Sequence, residues 1–74
     1  MKVTIKLFAG FRENRFKIEE RDLPPGFTVA NLLAELGIKE PELGVALINA
    51  RHVLPEQELH EGEIISLFPK VGGG

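Results

Sequence analysis

The sequence predicts an α+β domain: a mixed four- to five-stranded sheet with one main helix lying on it. Three observations carry that expectation. Residues 2–8 and 15–21 alternate apolar and polar side chains, the period of a half-buried strand. Val29, Leu32, Leu33 and Leu36 recur at i, i+3, i+4 and i+7, which makes a single apolar helix face. Residues 63–68, Glu-Ile-Ile-Ser-Leu-Phe, form a mostly apolar run near the end of the sequence that reads as a last strand. Seventy-four residues make one domain with a small core.

In the first run, Val3, Ile5 and Leu7 point one way, and Lys2, Thr4, Lys6 and Phe8 the other. Ala9-Gly10 breaks the pattern. Phe11 to Asn14 reads as a turn or short helical connection, since Asn tolerates left-handed geometry. In residues 15–21, Phe16 and Ile18 are expected inward, with Arg15, Lys17 and Glu19 outward. The short connection predicts an antiparallel hairpin. Pro24-Pro25-Gly26 is a stop and turn. Thr28 stands where a helix N-cap belongs, and Gly37 at the position just past the helix end. A helix of about nine residues is too short to be stable alone, so it must lie on the sheet. Ile38 to Leu43 is a connection, and Pro41 prevents a helix from running through it.

Val45 to Ile48 predicts a buried strand, and Arg51-His52-Val53 a short return strand. Leu54 to Leu59 reads as irregular and polar, and Glu61-Gly62 as a turn. In the last strand Ile65 and Leu67 are expected inward, and Ile64, Ser66 and Phe68 on the opposite face. Pro69 is expected to end the ladder by removing a donor. The long crossover between the first and last strands predicts that they pair in parallel. This order is a β-grasp arrangement. It leaves one sheet face open, with Phe8, Ile64 and Phe68 as candidates for it.

Composition excludes several chemistries. There is no cysteine, which rules out disulfides, thiolate catalysis and cysteine zinc sites within the chain and fits a reducing, cytoplasmic setting. The net charge of −2 argues against nucleic acid as a partner. The acidity lies in residues 38–74, with six acidic and three basic groups. No apolar run approaches the roughly 18 residues of a membrane span, and no signal-peptide core precedes the first alternating run. The one serine, Ser66, and the one aspartate, Asp22, suggest no Ser-His-Asp triad. His52 and His60 lack metal-ligand spacing. The glutamates at 56, 58, 61 and 63 form no calcium loop. No dinucleotide or phosphate-loop glycine motif occurs.

The most informative stretch is Phe68-Pro69-Lys70-Val71-Gly72-Gly73-Gly74. Glycines contribute no side chain to packing and lose the most backbone freedom when ordered. The chain is therefore expected to divide into a body, residues 1–69, and a slim, flexible C-terminal tail, residues 70–74. Extended, that tail would reach roughly 17 Å. A glycine end can enter a narrow channel, and its one functional group is the Gly74 carboxylate. Phe8 and Phe11 read either as core edge or as docking surface. Phe68 reads as a docking residue beside the tail. Lys70 reads either as steering the tail toward an acidic partner or as a solvated lysine.

Leu7-Phe8-Ala9 with Arg12-Glu13, the Pro-Gly-x-Thr-Val opening at Pro25 to Val29, Gly62-Glu63, and Phe68-Pro69-x-Val71-x-Gly73-Gly74 resemble the small subunit of molybdopterin synthase. The resemblance covers essentially the whole chain. The related thiamine-biosynthesis sulfur carrier shares the fold and the Gly-Gly ending, but usually lacks the Phe-Pro and Leu-Phe-Ala elements. Lys70 stands where the molybdopterin family commonly has a second proline.

What the resemblance implies is a ubiquitin-like β-grasp sulfur carrier, non-catalytic in itself. A ubiquitin-activating-type adenylyltransferase would adenylate Gly74, supplying ATP and magnesium. Sulfur would then replace AMP to leave a thiocarboxylate. Docked in the molybdopterin synthase large subunit, that group would donate sulfur to a pterin precursor of molybdenum or tungsten cofactor. Phe8, Ile64, Phe68, Pro69, Lys70 and Val71 would bind partners, and Gly72, Gly73 and Gly74 would form the tail. No resident cofactor or metal is expected. The alternatives are a carrier for thiamine or tRNA thiolation, and a ubiquitin-like modifier joined through Gly74 to lysines.

Overall fold

The computed structural model describes residues 1–70. Its elements are β1 (Lys2–Leu7), β2 (Ile18–Asp22), α1 (Val29–Leu36), β3 (Leu43–Ile48), β4 (Arg51–Val53) and β5 (Ile64–Pro69), with 3-10 turns at Ala9–Arg12 and Glu40–Glu42. The strands form one mixed sheet in the order β2-β1-β5-β3-β4. β1 and β5 run parallel at its centre, with Thr4 opposite Ile64 and Leu7 opposite Leu67. The remaining pairings are antiparallel. This is the ubiquitin-like β-grasp fold that the element order predicts.

One sheet face carries the core. Val3, Ile5 and Leu7 from β1, Ala46 and Ile48 from β3, and Ile65 and Leu67 from β5 are buried in one cluster with Val29, Leu32 and Leu33 of α1. Phe11, Leu23, Ile38 and Leu59 complete that cluster. Each fully buried aliphatic side chain contributes about 1.5–3 kcal/mol.

The helix begins and ends at its sequence signals. The Asn31 amide donates to Thr28 Oγ1 at 3.1 Å, and the Thr28 amide donates to Asn31 Oδ1 at 3.0 Å. The reciprocal pair satisfies two amides that have no partner within the helix. At the other end Gly37 takes φ 76°, a left-handed conformation that suits glycine. Its amide donates to Ala34 O, and the Ile38 amide donates to Leu33 O at 2.8 Å. That is a Schellman closure, with buried Ile38 as its hydrophobic member. Arg15 adds a cation at the negative end of the helix, its Nε donating to Leu36 O at 2.9 Å.

The structure corrects the sequence reading at four places. The second strand is Ile18–Asp22 rather than 15–21, and it pairs Ile5 with Glu19 and Lys6 with Ile18. Directly paired residues share a face, so Glu19 and Arg21 lie on the helix side and Ile18 lies on the other, 56% exposed. Phe16 precedes the strand and is half-buried against the core. A phase error of one residue exchanges the two faces of a strand. The helix-side charges satisfy one another: Arg21 donates to Glu19, and to Glu35 of α1 at 2.8 Å. The Glu19 hydrogen bond is the main cause of a raised Arg21 pKa; burial opposes it and the Glu35 bond supports it.

The other three corrections concern β3, Leu59 and Pro69. β3 is buried on one side only, at Ala46 and Ile48, while Val45 is 36% exposed. Leu59, in the stretch expected to be polar and irregular, is buried, and its amide donates to Phe27 O at 2.8 Å. Pro69 is the last paired residue of β5, opposite Leu43, but not through loss of a donor to β3, for the Lys70 amide still donates to Glu42 O at 3.1 Å. Amide directions alternate along a strand. The missing Pro69 donor would therefore face β1, which has already ended at Leu7.

Ile5→Ala should destabilise the protein by about 2–5 kcal/mol, whereas Ile18→Ser should change stability by no more than about 0.5 kcal/mol. Urea denaturation measures both.

Candidate functional site

The sheet face away from α1 has no element packed over it among the described residues. Pairing places Thr4, Lys6 and Phe8 along one row of this face, with Ile64, Ser66 and Phe68 beside it. Val45 and Leu47 of β3 adjoin Phe68 and Ser66, and Ile18 adjoins Lys6. His52 of β4, exposed, lies opposite Leu47.

The two aromatic residues meet at one end of the face. The Phe8 and Phe68 rings stack with centroids 4.2 Å apart and planes inclined by 10°. The Arg12 guanidinium lies 5.2 Å from the Phe8 ring centroid. Arg12 Nε also donates to Leu7 O at 2.7 Å, which fixes that cation beside the ring. Both rings are half-buried. A neutral stacked pair with a cation at its margin suits a docking surface that has an apolar centre and a polar rim.

The structure treats the candidate residues differently. Phe8 and Phe68 are brought into direct contact. Ile64 shares their face but sits at the other end of β5, opposite Thr4, and is 39% exposed. Pro69 is half-buried and Lys70 exposed, directly after the stack. Val71, Gly72, Gly73 and Gly74 lie outside the described residues, and so does all of the expected tail except Lys70. Phe11, open in the sequence between core and docking surface, is a core residue at 5% exposure.

Sequence reasoning did not single out Arg12, Ile18 or Val45 for this face. Arg12 reaches Phe8 across a 3-10 turn, which leaves no strand or helix period to read. Ile18 could have been placed by noticing that Arg21 can pair with both Glu19 and Glu35 on the helix side. Among the described residues no group of three or more His, Cys, Asp or Glu side chains could hold a metal ion. His60 Nδ1 has Glu63 Oε2 at 3.6 Å, with the imidazole mostly exposed. The face offers shaped contact area and one firmly placed cation.

A double-mutant cycle of Phe8→Ala and Phe68→Ala should return a coupling of about 0.5–1.5 kcal/mol in denaturant unfolding, the usual worth of an aromatic pair.

The ThiS family matches residues 5–74. Among solved structures, a Pyrococcus furiosus protein described as molybdopterin converting factor, subunit 1, is 30% identical. It superposes with a TM-score of 0.77 over 96% of this chain and 99% of its own. Small archaeal modifier protein 1 from Haloferax volcanii superposes with a TM-score of 0.74 at 19% identity, over 95% of this chain and 98% of its own. A structure of the complex of subunits 1 and 2 of molybdopterin-converting factor from Helicobacter pylori matches with a TM-score of 0.66 at 23% identity, over 100% of both chains. At those identities the last two speak for the fold alone. No curated protein matches the sequence. The chain belongs to the ThiS family, and its fold is that of the ubiquitin-like sulfur carriers and modifiers.

Proposed function

We propose that the protein is a sulfur carrier in molybdopterin biosynthesis, docking through its open sheet face and carrying sulfur as a thiocarboxylate on Gly74. One observation carries the reading: the stacked Phe8–Phe68 pair stands half-buried on the open face directly before Pro69 and Lys70, in a chain whose family match runs through Gly74. The likeness to a molybdopterin converting factor subunit from Pyrococcus furiosus supports the pterin branch.

The chemistry follows from the group. An α-carboxyl has a pKa of about 3.3–3.7, so at neutral pH it is an anion that resists nucleophiles. Activation begins when a carboxylate oxygen attacks the α-phosphorus of ATP and pyrophosphate departs. A hydrosulfide-equivalent nucleophile then adds to the acyl carbon, and the bond to AMP breaks. The products are a thiocarboxylate and AMP. After the sulfur has been handed to the pterin precursor, an oxygen from water restores the carboxylate.

A ubiquitin-activating-type adenylyltransferase supplies ATP and magnesium for the first step, and the molybdopterin synthase large subunit receives the loaded carrier. Both steps belong to the cytoplasm, where ATP and reduced sulfur are available together. The chain itself is a non-catalytic subunit. Its contribution is to orient the reacting end, because a reactant held in place reacts far faster than one that must diffuse in.

A second reading, a modifier joined through Gly74 to lysines, draws on the likeness in fold to small archaeal modifier protein 1. It uses the same activated acyl group, attacked by an amine instead of sulfur.

Incubation with the activating enzyme, ATP and sulfide should raise the mass by about 16 Da, the exchange of one oxygen for sulfur. Deletion of Gly74 should abolish the gain and leave thermal unfolding unchanged. An unchanged parent mass, in an assay where a known carrier is loaded, would overturn the proposal. Higher-mass lysine conjugates would select the modifier reading instead.

Phe68→Ala should weaken binding to the synthase large subunit at least about tenfold, or 1.4 kcal/mol. Titration calorimetry tests this. A larger loss in folding stability than in binding would mark Phe68 as core.

A further inference from the structure

β3 and β5 fall out of step at one point. Leu43 pairs with Pro69 and Val45 with Phe68, which leaves Gly44 as an extra residue on β3. Among the described residues the glycines with positive φ are Gly26, Gly37 and Gly62, so a left-handed backbone is not the reason for glycine at 44. The reason is a close approach. A Cβ on residue 44 would lie 2.7 Å from Pro69 O, 2.9 Å from the Pro69 carbonyl carbon and 3.0 Å from Lys70 N. All three atoms belong to the peptide joining Pro69 to Lys70. No side-chain rotation could relieve that overlap; the peptide itself would have to move.

The same peptide is held from two other directions. Its N–H donates to Glu42 O at 3.1 Å. Pro69 locks its own φ near about −65°. An open cleft of about 460 Å³, bordered by Gly10, Phe11, Arg15 and Glu42, adjoins Pro69 and Lys70 and leaves room for a displaced chain.

We propose that Gly44 is a positioning residue. By letting the Pro69–Lys70 peptide seat against β3, it sets the direction in which the chain leaves the body at Lys70. This rests on the sulfur-carrier reading, in which the group to be delivered is the Gly74 carboxyl. Three residues separate Lys70 from Gly74, and each of the four steps between them can extend about 3.6 Å at most. A displaced exit at Lys70 therefore shifts the region that Gly74 can reach. A misplacement of about 1 Å can cost a reaction about a hundredfold.

The test compares parent and Gly44→Ala in single-turnover loading, with saturating activating enzyme, ATP and sulfide, read by mass spectrometry. Titration calorimetry gives the affinity for the same enzyme, and circular dichroism the folded fraction. The expected result is a fully folded variant that binds with parental affinity and loads about 10- to 100-fold more slowly. A purely structural role would lower the folded fraction and leave the folded molecules loading at the parental rate. Parental loading by folded Gly44→Ala, or weakened binding with an unchanged saturated rate, overturns the proposal. Should Gly44→Ala fail to fold, Pro69→Gly decides, since it frees the same junction without crowding it; slower saturated loading supports the proposal and parental loading overturns it. A parent that takes up no sulfur would instead count against the carrier reading itself.

Discussion

Two strands that run parallel cannot be closed by a hairpin, so pairing β1 with β5 obliges the chain to cross the sheet between them. That crossing is what α1, β3 and β4 supply. With β1 and β5 together at the centre, β2 takes one flank and β3 and β4 the other. Val3, Ile5, Leu7, Ile65 and Leu67 meet beneath the helix because the register aligns Ile5 with Ile65 and Leu7 with Leu67. The same register aligns the alternate residues on the far face. The Phe8–Phe68 stack continues the pairing one step beyond Leu7 and Leu67.

Core and candidate docking face are thus two sides of one register. The helix side is apolar at the centre and closed at its β2 flank by the Arg21, Glu19 and Glu35 cluster. The far side is aromatic at one end, where Phe8, Phe68 and Val45 adjoin, and carries exposed Ile64 at the other. The junction at Pro69 and Lys70 is anchored on several sides by local means: the stack before it, the close approach of Gly44 and the Glu42 carbonyl.

Much of this was legible from residue patterns. The helix was readable to its caps, because Thr28 and Gly37 act through local backbone geometry that needs no tertiary partner. The phase of β1 was readable because it alternates cleanly; β5 carries apolar residues on both faces, and the inward choice of Ile65 and Leu67 is the one the structure shows. β2 was not. Phe16-Lys17-Ile18 alternates convincingly, but the residues that count are Glu19 and Arg21, whose helix-side position depends on Glu35 fourteen residues later. Leu59 was missed because its burial comes from backbone bonding to Phe27, which has no period. The docking candidates Phe8, Ile64 and Phe68 were placed on the right face by strand phase alone. Their contacts were not readable: the stack arises between strands sixty positions apart, and Arg12 reaches it across a turn. The bulge at Gly44 left no mark in the sequence beyond one glycine before an apolar run.

The central pairing also bears on how the molecule is made. Thr4 must find Ile64, a closure of about sixty residues whose entropic cost comes before most of the core can form. Contacts so distant along the chain slow folding relative to a helical bundle of the same size. During synthesis β1 has no central neighbour until residues 64–69 have been added, and its apolar row stays unpaired on that side. The newborn polypeptide thus reaches its native tertiary structure only once β5 has been made, so that the strand carrying Phe68 is also the one that completes the fold.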